Sequence, residues 1–194
     1  AKRWLDVIGA VVGLIVLSPV LAAAALVILV QDGRPVLFRQ TRVAFNGRTF
    51  QMVKFRTMVP DAEARLEEVR SLNRISGPAI QLDHDPRVTR SGNVLRKTSI
   101  DELPQLWNVL KGEMSLIGPR PAPLVEVNGY DIWHRRRLSM RPGITGLAQV
   151  ANRRYTSFDQ RAELDLQYID RWSLALDVEL VFRTIRIVLA GSGR

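Results

Sequence analysis

Two adjacent carboxylates, Asp101 and Glu102, stand in the run Ser99-Ile100-Asp101-Glu102-Leu103-Pro104-Gln105-Leu106, at the start of a predicted helix. Basic residues surround them in sequence: Arg87, Arg90, Arg96 and Lys97 before, Lys111 and Arg120 after. Phosphoryl transfer from a diphosphate needs this mixture. Arginine forks bind phosphate oxygens, one carboxylate holds Mg²⁺, and another can attack phosphorus to give an acyl phosphate. Both tasks need ionised carboxylates, and a helix N-terminus next to Arg side chains favours that form. The plainer reading of the pair is capping. Ser99 and Glu102 have the S-x-x-E spacing of a capping box, and acidic residues suit a helix N-terminus. The plainer reading of the basic run is a solvated surface facing a membrane.

The elements that must position these residues begin with residues 7–30, which carry no charge and are bounded by Lys2, Arg3 and Asp6 before and by Asp32 and Arg34 after. About 20 apolar residues suffice to cross a bilayer core. Ser18-Pro19 interrupts the run near its middle, where proline lacks a donor and forces a bend. Ser18 can satisfy a backbone group freed by that break. Basic residues flank both ends, Lys2 and Arg3 on one side and Arg34, Arg39, Arg42 and Arg48 on the other. The positive-inside rule then places both ends in the cytoplasm, which a re-entrant hairpin satisfies and a straight span does not. A cleaved signal peptide fits less well, because the run exceeds the ~7 to 15 apolar residues of a signal core.

Beyond this segment, residues 35–38 and 49–55 read as strands joined through Asn46-Gly47, a hairpin signal. Helices are predicted over residues 61–72, 103–110, 131–140 (basic), 158–171 and 178–189, the last with its apolar run broken by Arg183 and Arg186. Residues 76–93, rich in Gly, Pro, Asp and Asn, read as a long loop of the kind that often carries function. Residues 118–123 read as a rigid extended turn and 141–146 as loop. The fold class is α+β, mostly α-helical, with a membrane segment over 1–34 and a catalytic portion over 35–194.

Composition narrows the partners. In 194 residues, 28 Lys+Arg against 19 Asp+Glu give a net charge of +9, which calls for a phosphorylated substrate, a lipid headgroup surface or nucleic acid. The absence of cysteine excludes disulfides, thiolate nucleophiles and Cys-based zinc sites, and suits a reducing cytosol. Two histidines argue against a multi-His metal centre. The chain opens on Ala1 rather than Met, so either a longer parent chain or a lost start is expected.

Read together, these runs resemble the bacterial sugar transferase family, the monotopic phosphoglycosyl transferases that start glycan assembly on undecaprenyl phosphate. The resemblance covers nearly the whole chain. It rests on Lys2-Arg3, the apolar Ser18-Pro19 segment, Gly33-Arg34-Pro35-Val36-Leu37-Phe38-Arg39-Gln40, Lys54-Phe55-Arg56-Thr57-Met58 and Asp85-Pro86-Arg87-Val88-Thr89-Arg90. It continues through Leu95-Arg96, the Asp101 run, Asn108-Val109-Leu110-Lys111-Gly112-Glu113-Met114-Ser115, Gly118-Pro119-Arg120-Pro121 and Arg141-Pro142-Gly143-Ile144-Thr145-Gly146.

The resemblance implies a two-step reaction. Asp101 attacks the phosphate bearing the sugar of a UDP-sugar, releasing UMP, and undecaprenyl phosphate then takes the phosphosugar from the aspartate. It implies that Asp101 and Glu102 hold Mg²⁺ and that Lys54 and Asp165, in Asp165-Leu166-Gln167-Tyr168, complete the active-site polar group. Arg87, Arg96, Arg120 and Arg141 are the candidates for phosphate. The setting it implies is the cytoplasmic face of the bacterial inner membrane, in exopolysaccharide, O-antigen or glycoprotein glycan synthesis, with interfacial amphipathic helices and no nucleic acid partner; homo-oligomerisation is left open. Trp4, Trp107, Trp133 and Trp172 are candidates for the lipid interface. The rivals are a membrane-tethered basic binding module, built on Arg135-Arg136-Arg137, and a hydrolase using water as acceptor.

Overall fold

In the computed structural model, residues 1–70, 73, 82, 85–151 and 157–190 are described. The apolar segment forms two helices, α1 (Lys2–Val16) and α2 (Ser18–Gln31), bent by 61° at the break. Pro19 lies in the first turn of α2, where its missing N–H costs nothing, and the Ser18 hydroxyl donates to the Ile15 carbonyl at 2.8 Å. Neither helix alone is long and apolar enough to cross a membrane, although the pair passes that test together.

The hairpin is longer than expected. β1 (Leu37–Val43) pairs antiparallel with β2 (Thr49–Phe55), setting Phe38 opposite Lys54 and Arg42 opposite Phe50. Asn46 and Gly47 adopt φ of 55° and 76°, the left-handed values that make an Asn-Gly pair a turn signal. The helix expected over 61–72 begins five residues late, as α3 (Leu66–Arg70), because residues 61–65 form turns; positions 71 and 72 lie outside the described residues, as do 76–81, 83 and 84 of the expected loop over 76–93. That loop ends earlier than expected, because α4 (Arg90–Lys97) starts where the Thr89 hydroxyl caps the Gly92 N–H.

A short 3₁₀ turn, Ile100–Glu102, precedes α5 (Gln105–Lys111), which ends at Gly112 with φ 82°. Then come β3 (Ser115–Ile117), β4 (Ala122–Pro123), α6 (Leu124–Asn128), β5 (Gly143–Thr145) and α7 (Leu147–Ala151). The three short strands lie in stretches where Gly and Pro mask any alternation: β4 pairs with β1, and β3 with β5 in parallel. The basic helix expected over 131–140 is a 3₁₀ helix, His134–Ser139. α8 (Phe158–Asp170) and α9 (Leu174–Leu189) each open on a serine cap, Ser157 and Ser173, and α9 starts four residues before its expected position.

The N-terminal helices share cores with the rest of the chain. Ala10 of α1 packs with Phe50, Met52, Leu106, Val109 and Met114, while Ala24 and Ile28 of α2 pack with Phe55 and Leu95. Their other faces leave Trp4, Ile8, Ile15, Val16, Leu26 and Val30 exposed.

Candidate active site

The turn that carries the carboxylates is set by Ser99, whose φ of 57° reverses the chain between α4 and α5. A capping box needs an extended N-cap residue, and the Ser99 hydroxyl makes no cap bond. The capping reading therefore fails at Ser99. Instead the turn carries Asp101 inward, to 7% exposure, and leaves Glu102 half-buried.

Three cations converge on the pair from three elements. Lys54, near the end of β2, is partly buried, with its ammonium 5.5 Å from the Phe38 ring centroid across the hairpin. Arg96 comes from the last turn of α4. Arg120, held between two prolines, reaches Glu102 at 3.5 Å. Burial, followed by the neighbouring Glu102 charge, pushes the Asp101 carboxyl up to about 6, against the pull of Lys54, Arg96 and Arg120. At Asp101 this departs from the expectation that a helix terminus among arginines favours the ionised form, because desolvation outweighs the cations there. Burial also lowers Lys54, to about 8, although Asp101 opposes the shift. At pH 7 the site thus holds a carboxylate and an ammonium, each within about one unit of its titration.

The other expected residues sit differently. Arg87 is buried and committed to structure, donating to Asp85 through Nε at 2.9 Å and Nη2 at 2.7 Å and to the Ala62 carbonyl at 2.9 Å. The Arg141 side chain is exposed, and its carbonyl abuts Gly118, where an added Cβ would lie 2.4 Å away. Asp165 is fully buried and accepts from Arg137 through Nε at 2.8 Å; among the described residues it makes no hydrogen bond to Asp101 or Glu102. The basic triplet is split by the fold, with Arg135 exposed, Arg136 paired with Asp170 at 2.5 Å, and Arg137 buried.

Two further arginines, Arg42 of the basic flank and Arg56 of the Lys54 motif, were not expected at the site from sequence. Arg42 shares the inward-facing alternation of Phe38 and Gln40 on β1, and burial and then Arg120 lower it to about 10. That period-two pattern was the available signal. Arg56 donates to the carbonyls of Asp32, Gly33 and Arg34, tying the end of α2 to β2.

A cavity of about 780 Å³, lined by residues including Leu14, Leu21, Ala25, Phe55, Pro104 and Trp107, opens between the N-terminal helices, the hairpin and α5. Among the described residues no group of three or more His, Asp or Glu side chains gathers in a way that could hold a metal ion by itself.

Comparison with known proteins identifies the family. A family model described as bacterial sugar transferase matches residues 1–191. The chain is 45% identical over its full length to galactosyl transferase CpsE of Streptococcus agalactiae serotype III, of which it spans 43%. It is 40% identical over its full length to exopolysaccharide production protein ExoY of Sinorhizobium fredii, spanning 87% of that protein. Against undecaprenyl-phosphate galactose phosphotransferase of Salmonella typhimurium it is 37% identical, over 99% of this chain and 41% of the relative. With a match that runs through the apolar helices, the carboxylate turn and the Gly-Pro-Arg-Pro segment alike, the chain belongs to the bacterial sugar transferase family.

Proposed function

We propose that this chain moves a sugar 1-phosphate from a UDP-sugar to undecaprenyl phosphate at the cytoplasmic face of the bacterial inner membrane, releasing UMP. This would be the first membrane step in building an exopolysaccharide, O-antigen or glycoprotein glycan. The observation that carries the reading is a buried Asp101 beside Glu102, facing the charges of Lys54, Arg96 and Arg120. The relatives named as sugar and galactose transferases support it.

In the first step an Asp101 carboxylate oxygen bonds to the phosphorus bearing the sugar. The bond from that phosphorus to the bridging oxygen breaks, and UMP leaves with the electron pair. In the second step a phosphate oxygen of the polyprenyl acceptor attacks the same phosphorus, and the bond to Asp101 breaks to restore the carboxylate. Lys54, Arg96 and Arg120 bind and orient the phosphates, and their charges offset that of the departing UMP. Asp101 and Glu102 would hold Mg²⁺, which when bound neutralises diphosphate charge; two carboxylates suffice, because Mg²⁺ takes its remaining ligands from phosphate and water. The dispersal of Arg135, Arg136 and Arg137 favours this reading over a basic binding module.

The membrane part of the proposal is a re-entrant, monotopic anchor over residues 1–34. Both polar ends of the bent helix pair are tied to the catalytic portion, 35–194. Lys2 bonds Asp177 at 2.6 Å and Arg3 donates to the Val109 and Leu110 carbonyls, while Asp32 accepts from Thr89 and Ser91. A chain clamped at both ends to one body enters and leaves on the same side. The exposed Val178, Phe182 and Ile185 of α9 suit an interfacial helix.

The chemical test is transfer of label from a sugar-labelled UDP-sugar to the protein. The native chain should become labelled and Asp101→Asn should not; labelling of Asp101→Asn would place the nucleophile elsewhere, and free sugar phosphate formed without acceptor would indicate a hydrolase. For the anchor, tags before Lys2 and after Arg34 should both resist periplasmic reagents, and modification of either would refute it.

A further inference from the structure

Arg120 meets Glu102 from the middle of Gly118-Pro119-Arg120-Pro121, a stretch whose carbonyls are gripped from the far side by buried charges. The Arg120 carbonyl accepts from Arg137 Nη2 at 3.3 Å, and the Pro121 carbonyl accepts from Arg42 Nη1 at 2.9 Å. Arg137 is itself immobilised. Its Nε and Nη2 meet one Asp165 oxygen at 2.8 and 2.7 Å, and Nη1 meets Glu126 at 3.4 Å and the Tyr130 hydroxyl. Its guanidinium also lies 5.3 Å from the Phe158 ring centroid and 5.5 Å from that of Tyr130. Glu126 accepts as well from Arg161 and Tyr130, each at 2.9 Å. Asp165, Glu126 and Arg137 are all nearly inaccessible to solvent, so none of them touches a bound diphosphate.

Burying so many charges is costly, and an apolar core of similar volume would be at least as stable. What the ions supply is direction. A guanidinium with its donors committed to two carboxylates is a rigid planar fork, and its remaining donor has one place to point. That place is the Arg120 carbonyl.

We propose that Asp165, Arg137 and Glu126 are positioning residues, which clamp the Pro119-Arg120-Pro121 segment through the Arg137–Arg120 hydrogen bond and so aim the Arg120 guanidinium at Glu102 and the phosphate bound there. Asp165 then acts one contact removed from the reacting atoms. The functional arm of the test rests on the transferase reading; the structural arm does not.

The functional arm is a double-mutant cycle on the full chain, read as kcat/KM for UMP release with undecaprenyl phosphate present. Arg137→Lys keeps a cation against Asp165 but loses the fork, and Asp165→Asn loses the counter-charge. Each should lower kcat/KM by about tenfold, the effect of losing roughly one hydrogen bond to a charged group. In an Arg120→Ala background each should cost less than about twofold, since nothing is left to aim. Losses that multiply in the double variants would mean that Asp165 or Arg137 acts on substrate directly, and would overturn the proposal. Thermal melting shows which variants fold, and Arg137→Lys carries the cycle if Asp165→Asn is not recovered.

The structural arm is a crystal structure of Arg137→Lys. Arg120 should leave Glu102 while Asp101 and Lys54 stay in place. If Arg120 remains within 3.5 Å of Glu102, the clamp is wrong whatever the activity. If the native chain releases no UMP yet Arg120 swings away in this variant, the transferase reading has failed and the clamp stands.

Discussion

Asp101 is held where its charge is poorly solvated, and replacing it by asparagine should therefore stabilise the protein while abolishing labelling. Burial and Glu102 raise its carboxyl from an ordinary 3.8 to about 6. Between those values the folded chain binds a proton that the unfolded chain has released, so this group's contribution to stability falls as pH rises through the window. A shift of about two units at about 1.4 kcal/mol per unit corresponds to about 3 kcal/mol. Asparagine does not ionise. The stability of Asp101→Asn relative to the native chain should thus increase by about 3 kcal/mol from below pH 4 to pH 7. For a chain of this length, at about 2–4 °C per kcal/mol, the melting difference should widen by roughly 6–12 °C. The assay is thermal melting of both detergent-solubilised proteins at unit steps from pH 4 to 8, with divalent cations chelated so that no metal offsets the carboxylate charge. Parallel melting profiles across that range would show that the Asp101 site does not resist the charge, and the reasoning from burial would be wrong.

Three further outcomes follow from particular contacts. The kcat/KM for UDP-sugar should fall above about 8 as Lys54 loses its proton; a flat profile from pH 7 to 9 would assign that group wrongly. Asn108, which receives the Val53 N–H and donates to the Gln51 carbonyl and Glu113, joins α5 to β2. Asn108→Ala should cost about 2–4 kcal/mol in denaturant unfolding, and a loss under about 1 kcal/mol would show that these bonds contribute little. Gly92→Ala places a Cβ 2.1 Å from the Thr57 carbonyl oxygen, so α4 must shift; a loss of about 1–3 kcal/mol is expected, with weaker labelling as Arg96 moves, and an unchanged melting temperature would contradict the packing.

What the sequence determined by itself is whatever depends on a few neighbouring residues. Ser18-Pro19 breaks the apolar helix because proline cannot continue the hydrogen-bond ladder. Asn46-Gly47 turns the hairpin because both residues tolerate positive φ. The family motifs were legible for a related reason: their types and order are written along the chain, whatever the fold does with them.

What only the tertiary structure decided is how each charge is used, since desolvation and pairing depend on segments far apart in sequence. Ser99 had the spacing of a cap and serves as a left-handed corner. Arg135, Arg136 and Arg137 look alike in sequence, yet one is exposed, one pairs on the surface and one anchors a buried cluster. Arg87 and Arg120 were equal candidates for phosphate, but Asp85 occupies the first and Glu102 leaves the second at the site. Asp101 differs from an ordinary helix-start aspartate because the chain folds over it and removes the water that would stabilise its charge.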